Sequence, residues 1–311
     1  MKLEGLHHIT AITGDAPRNV DFYARVLGLR LVKRTVNQDD PTVYHLFYAD
    51  EAGSPGADLT FFEYPNARPG RAGAGMVHRI AHRVASAATL DFWAERLGSE
   101  GVATSMVDGA LRFDDFEGLS HELVVVDVTD APLRARSTEV PDEHALQGFH
   151  AVYAGVADTR RSVAVLTDVL GAVPVDDDAF EIRGDRRGSF IRLEGGAGRG
   201  FGGAGTVHHI AWGASLDEHT AWRERVASAG LQITPVIDRF YFRSVYFREP
   251  GGILYELASI GPGFTTDESR ETLGEHLALP PDFEHLRAQV EPMLTPLPDI
   301  RRWRPAPTNA S

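Results

Sequence analysis

Hydrophobic and polar positions along the chain fall into a pattern that repeats four times. LHHITAI, VHRIAHRV, FHAVYAGV and VHHIAWGA begin at Leu6, Val77, Phe149 and Val207, and each mixes apolar, often β-branched residues with a histidine, as a strand does. A stretch with helical spacing follows each one. In the first, Val20, Tyr23, Val26 and Leu27 share a face; in the second, Leu90, Trp93 and Leu97 do. Gly28, Gly98, Gly171 and Gly230 stand where these helices should stop. Shorter strand-like runs with tight turns come next, among them VYHLFYAD and ADLTFFEY in the first copy and RSVYFREPGGILYELAS in the fourth. The repeating unit is β-α-β-β-β and the fold class is α+β, with four such modules in two paired domains.

The predicted boundaries place modules 1 and 2 in residues 1–130, a polar, proline-bearing linker at 131–147, modules 3 and 4 in 148–260, and a tail over 261–311. The tail is punctuated by prolines and reads as peripheral. GAGRGFGGAGT, Gly196 to Thr206, contains the spacing G-x-G-x-x-G but precedes a strand instead of joining strand to helix; it predicts a mobile loop, not a dinucleotide site.

The repeat sorts the histidines into two columns. The first holds His7, His78, His150 and His208, a histidine in every copy, which points to a need shared by all four strands. The second holds His8, Arg79, Ala151 and His209, and a column that differs between copies is where a specific site belongs. Side chains alternate across a strand, so only one member of each adjacent pair faces the concave side squarely. His209 shares its face with Ala211 and Gly213, which leave room for a ligand. His8 and His209 are therefore the candidate metal ligands.

Glu256 supplies a third. It stands in the apolar run GGILYELAS, where an acid is costly to bury unless paired or coordinated. The copies align at their ends, Phe113, Gly118 and Glu122 with Phe247, Gly252 and Glu256. A site built from His8, His209 and Glu256 draws on modules 1 and 4, so modules 2 and 3 should pair in the same way, with Arg79 and Ala151 at the ligand positions, Glu122 retained and no metal. Two histidines and one carboxylate leave coordination positions open, as non-haem Fe(II) oxygenases require; zinc hydrolases use the set too. Thr60 matches Glu256 in the first copy, and Glu63, an odd number of residues away, should face the other side.

Composition narrows the field. The chain has 311 residues, 43% of them hydrophobic, and a formal net charge of −13, which disfavours nucleic-acid and anionic-membrane partners. It contains no cysteine, so thiolate metal sites, disulfides and cysteine nucleophiles are excluded. No apolar run reaches membrane-spanning length and strand-like sequence begins almost at once, so no membrane partner and a cytoplasmic location are expected.

With these residues in view, the chain resembles the vicinal oxygen chelate superfamily, which contains glyoxalase, extradiol dioxygenases and bleomycin-resistance proteins. Within it the chain is similar to the hydroquinone ring-cleaving branch of 2,6-dichlorohydroquinone dioxygenase. The matching stretches are LHHIT (6–10), VKRT (32–35), YHLFYADEAGSPG (44–56), EHALQGFH (143–150), VHHIA (207–211), DRFYFRSVYFREPGGILYELAS (238–259) and SIGPGFTTDE (259–268). The resemblance implies an Fe(II)-dependent dioxygenase acting on a hydroquinone and O2, with Mn(II) as the alternative ion and a homo-oligomer compatible with the fold. It carries the ligand roles onto His8, His209 and Glu256, and supporting catalytic roles onto His7, Thr10, His208, Arg239 and Tyr246. Such a role for His7 and His208 requires a bulge in each strand, since strict alternation turns them from the metal. Two other functions fit the superfamily: an isomerase or lyase of glyoxalase kind, which favours a fourth carboxylate, and a metal-free protein that sequesters an aromatic compound.

Overall fold

The computed structural model describes residues 1–305. Module 1 comprises β1 (Leu3–Thr13), helix α1 (Ala16–Val20, widening into a π-helical turn at Asp21–Val26), β2 (Arg30–Asn37), β3 (Asp40–Ala49) and β4 (Asp58–Glu63). Module 2 follows as β5 (Met76–Val84), α2 (Ala87–Ser99), β6 (Thr104–Val107), β7 (Ala110–Asp114) and β8 (Ser120–Val125). Module 3 is β9 (Phe149–Gly155), α3 (Thr159–Ala164, again continued by a π-helical turn), β10 (Val173–Pro174), β11 (Ala179–Arg183) and β12 (Gly188–Glu194). Module 4 is β13 (Thr206–Ala214), α4 (His219–Ser228), β14 (Ile237–Asp238), β15 (Arg243–Arg248) and β16 (Leu254–Ser259).

Side-chain caps start three of the helices: Asp15, Ser86 and Asp158 each accept a hydrogen bond from a first-turn backbone N–H. Gly28, Gly171 and Gly230 terminate helices with positive φ. Gly98 does not; it lies inside α2, and Gly101, at φ 76°, ends the turn that follows. LGSEG offers two glycines, and the chain turns at the second.

Two eight-stranded sheets result, ordered β14-β15-β16-β13-β1-β4-β3-β2 and β10-β11-β12-β9-β5-β8-β7-β6. Module 1 is hydrogen-bonded to module 4, and module 2 to module 3. The boundaries at 130 and 148 thus separate halves of the sequence, whereas each sheet takes one module from each half. Trp93, Trp212 and Trp222, each at most 1% exposed, anchor the core between sheets and helices.

At the centre of each sheet two antiparallel strands meet with an extra residue on either side at the histidine motif, and β1 carries a further one between Leu3 and Leu6. On β1 and β13, Leu6 faces Trp212 and His8 faces Ala211, so His7 is the extra residue; Thr10 faces His209 and Ala11 faces Val207, so His208 is the other. On β5 and β9 the same count leaves His78 and His150 over. All four histidines of the first column are bulge residues, and the bulges bend each sheet at its middle.

Two expectations about irregular segments are overturned. The glycine-rich stretch before β13 is tied along its length to the matching stretch before β5. Gly70 N–H donates to Ala204 O, Arg71 and Phe201 exchange both backbone bonds, and Ala74 N–H donates to Gly198 O. The glycines are there because the backbones nearly touch: a Cβ on Gly73 would lie 2.3 Å from Gly200 N, and one on Gly203 2.4 Å from Arg68 O. The tail is not peripheral either. Phe264 and Leu273 are buried with Val32, Phe47 and Tyr241 beside the concave face of the first sheet. The fully buried Lys33 ammonium is paired with Asp267 at 2.7 Å and with Glu268. No helix among the described residues is long and apolar enough to cross a membrane.

Candidate metal centre

The register of the first sheet brings the second histidine column to a point. His8 and His209 lie two residues apart on the neighbouring strands β1 and β13, and Ala211 pairs with Glu256 on the parallel strand β16. The bulges turn both histidines inward. Oε2 of Glu256 lies 3.2 Å from Nε2 of His8 and 3.0 Å from Nε2 of His209, and the two nitrogens are 3.4 Å apart. Among the described residues this is the single group of three ligand side chains able to share an ion.

The donor set fits a divalent metal. Glu256 is 0% exposed; its Oε1 accepts a 2.5 Å hydrogen bond from Ser244 Oγ, but Oε2 has no hydrogen-bonding partner of acceptable geometry. Such an atom is costly to bury unless something positive meets it. Nδ1 of His8 is 3.0 Å from Nδ1 of His7, and Nδ1 of His209 is 2.8 Å from Nδ1 of His208. With His8 and His209 donating Nδ1–H to their neighbours, both Nε2 atoms are bare and face the bare carboxylate oxygen. Ligand bonds of about 2.1 Å at tetrahedral or octahedral angles give ligand–ligand edges of about 3.0–3.4 Å, which is the spacing found.

Electrostatics agree with this arrangement. Burial alone raises the Glu256 carboxyl, but His8 and His209 outweigh it and hold it well below the usual carboxylate range. Burial lowers His209, a shift that Glu256 only partly offsets, and with it favours the neutral imidazole a metal requires. His7 is pushed down to about 3 by burial and by His8.

The remaining predicted residues divide between wall and support. Arg239 and Tyr246 line the cavity with the ligands. Asp39 clasps the Arg239 guanidinium at 3.1 and 2.9 Å, and Gln38 Nε2 donates to Arg239 O, so the β2–β3 turn closes onto the loop before β15. Burial and the nearby Glu256 raise the Tyr246 phenol. His7, Thr10 and His208 do not line the cavity. His7 is buried behind His8, His208 is exposed behind His209, and Thr10 Oγ1 lies 2.8 Å from Thr60 Oγ1. Thr60 pairs with Thr10 as Glu256 pairs with Ala211, so it fills the place of a fourth carboxylate. Glu63 faces away, accepting from Ala16 N–H and Thr295 Oγ1.

Sequence reasoning missed several cavity residues: His45, Phe47 and Phe62 on β3 and β4, Tyr241 and Phe242 before β15, and the turn Asn37–Asp39. VYHLFYAD reads as an ordinary alternating strand. Comparing His45 with its counterpart in module 4 was the signal available.

The matching concavity of the second sheet is built otherwise. Arg79 and Ala151 stand at the ligand positions. Glu122 Oε2 is held by Arg112 Nε at 2.5 Å and Arg79 Nε at 3.3 Å, and Tyr153 donates to Oε1 at 2.6 Å. The Arg79 guanidinium stacks 3.8 Å over the Tyr153 ring.

A family model described as the Glyoxalase/Bleomycin resistance protein/Dioxygenase superfamily matches residues 5–115 and 148–257. The chain is 42% identical, over 95% of its length and 97% of the relative's, to MhqO of Bacillus subtilis, a provisionally named ring-cleaving dioxygenase. It is 34% identical, over 93% of its length and 95% of the relative's, to a chlorohydroquinone/hydroquinone 1,2-dioxygenase of Sphingobium indicum. The crystal structure of a provisionally named Bacillus subtilis dioxygenase superposes with a TM-score of 0.89 at 40% identity, covering 96% of this chain and 98% of that one. Glyoxalase I from Zea mays shares the fold, with a TM-score of 0.60 at 16% identity over 88% of this chain and 96% of its own.

Proposed function

The chain belongs to the glyoxalase/bleomycin resistance protein/dioxygenase superfamily, and we propose that within it the protein is an Fe(II)-dependent dioxygenase that opens the ring of hydroquinones with O2. The observation that carries this reading is the convergence of three bare ligand atoms, two imidazole and one carboxylate, with threonine in place of a fourth acid. A three-ligand set suits chemistry that needs two further partners at the ion. A metal-free binding protein has no use for a buried carboxylate with one oxygen, Oε2, left without a hydrogen bond, and Thr60 argues against a four-ligand isomerase.

His8, His209 and Glu256 would hold the ion. When bound, Fe(II) supplies open positions for a phenol oxygen and O2 and makes the phenol a stronger acid. His7 and His208 fix the tautomer and ring orientation of the two ligating histidines through their Nδ1 contacts, and Ser244 fixes Glu256. Arg239, with its charge held at the cavity by Asp39, would orient the substrate and offset negative charge on its oxygens. Tyr246, kept protonated by burial, would donate a hydrogen bond to the same oxygens. Phe47, Phe62 and Phe242 give the slot aromatic walls that accept a flat ring and exclude water.

The test is oxygen uptake after anaerobic Fe(II) loading, with hydroquinone and chlorinated hydroquinones as substrates. Uptake of one O2 per hydroquinone, with loss of the aromatic absorbance, is expected. A filled iron site with no uptake across the panel would contradict the proposal.

A further inference from the structure

One cavity residue takes no part in the chemistry proposed so far. His45 lies on β3, paired with Phe62 on β4 and Thr35 on β2, and lines the cavity with the three ligands, Arg239 and Tyr246. Its ring is gripped by Phe47, with centroids 3.9 Å apart, and Phe62, at 4.3 Å. Nε2 is 2.9 Å from Thr60 Oγ1, which in turn is 2.8 Å from Thr10 Oγ1. Nδ1 has no partner among the described residues.

The internal repeat shows why this is unusual. Thr60 is the counterpart of Glu256, and His45 that of Ser244, since each stands opposite the residue two beyond it (His45 with Phe62, Ser244 with Ala258). In module 4 a short hydroxyl side chain orients a long acid that reaches the centre. In module 1 the lengths are exchanged: a short hydroxyl side chain holds a long imidazole. The exchange leaves module 1 with a directed hydrogen-bonding group at the cavity where a fourth ligand is missing. Burial pushes His45 well below its usual range, so it is a neutral imidazole with one donor and one acceptor nitrogen.

Its place in the sheet sets the partner. His45 stands two strands away from His8, about 10 Å between strand axes. Both side chains line one cavity, so a ring held at the ion by one oxygen would turn its opposite corner, not the adjacent one, toward β3. Resting on the hydroquinone reading above, we propose that His45 binds the hydroxyl para to the metal-bound one and so selects 1,4-dihydroxybenzenes over phenol and catechol. Thr60 and Thr10 are positioning residues for that contact.

The experiment measures anaerobic binding of hydroquinone, phenol and catechol to the Fe(II)-loaded protein by calorimetry, with iron content and thermal melting recorded for every variant. Wild type is expected to bind hydroquinone about tenfold or more tighter than phenol, the worth of one buried hydrogen bond. His45→Phe should bring the two within about twofold while leaving phenol unchanged, and His45→Gln should recover part of the preference. A merely structural role would weaken both ligands together. Should H45F disturb the fold or the iron, H45Q and Thr60→Val read the same ratio, and both should lower it. Wild-type preference retained in these variants, or no preference in wild type, would overturn the assignment. Failure of the dioxygenase reading shows up separately, as iron-loaded wild type that binds hydroquinone yet consumes no oxygen.

Discussion

Glu256 and Glu122 occupy the same place in their modules, both at the floor of a bent sheet and both almost wholly buried, yet they meet opposite surroundings. Glu256 faces two imidazoles with lone pairs to offer; Glu122 faces two guanidinium groups and a phenol with protons to give. The strand order corresponds in the two sheets, and each has a pair of histidine bulges at its centre. What differs is the second histidine column and the neighbours of the acid, Tyr246 and Ser244 in one sheet, Arg112 and Tyr153 in the other. A buried carboxylate must be met by positive charge. The scaffold fixes that need, and a few side chains decide whether an ion or an arginine answers it.

The sharpest way to break the comparison is to alter both acids alike. Glu256→Gln should lower hydroquinone-dependent oxygen uptake by about a thousandfold or more, since a ligand and its charge are lost. Glu122→Gln should keep uptake within a few-fold but cost about 3 kcal/mol in denaturant stability, because Arg79 and Arg112 lose their counter-charge. Equal losses of activity in both variants would dissolve the distinction.

A further test lies in pH. His82, on β5 of the second sheet, is buried and pushed down to about 4. Unfolded, it takes a proton near pH 6.5. Between these values the unfolded chain binds the extra proton, so stability present above pH 6.5 is lost as pH falls toward 4, by up to about 3 kcal/mol. Urea melts of the metal-free protein across that range should show it together with the other buried histidines, and His82→Asn should reduce the slope by one proton's share; an unchanged slope would show that His82 does not contribute.

Ser244 tests how far the acid depends on its neighbour. Ser244→Ala frees Oε1 of Glu256 and should weaken metal affinity about 10–100-fold, measured by competition with a chelator. Residue 110, in the corresponding place of the second sheet, is already alanine, with Arg112 and Tyr153 holding the acid instead. The smallest effect is expected from converting one concavity into the other. Arg79→His, Ala151→His and Arg112→Tyr together restore the ligand pattern around Glu122, and a weak second equivalent of bound metal should appear in a titration. Its absence, in a folded variant, would mean that the scaffold differs more than the pairing suggests.

Much of this difference is legible in the amino-acid sequence. Comparing His8, Arg79, Ala151 and His209 down one column separates the two concavities, and the apolar run around Glu256 marks a buried acid in need of a partner. The pairing of module 1 with module 4 follows from that ligand set. Alternation alone puts His7 and His208 of the first column on the wrong face, because a bulge leaves no mark in the pattern; their supporting role, and the need for a bulge, come from the resemblance. His45 is hidden for a related reason, lying inside a strand whose alternation is unbroken. Glycine-rich connectors read as mobile because glycine serves both flexibility and close approach, and only the opposing Gly73 and Gly200 show which applies. The tail escapes because Leu273, Leu277, Leu294 and Ile300 are buried at no regular period.

One ion, held by one of two look-alike acids, is the centre of the proposed chemistry. Iron retained per chain, after anaerobic loading and desalting, tests this directly in wild type, Glu122→Gln and His209→Ala. One, one and none are expected. Iron kept at wild-type stoichiometry by the His209→Ala variant, or lost from Glu122→Gln, would contradict it.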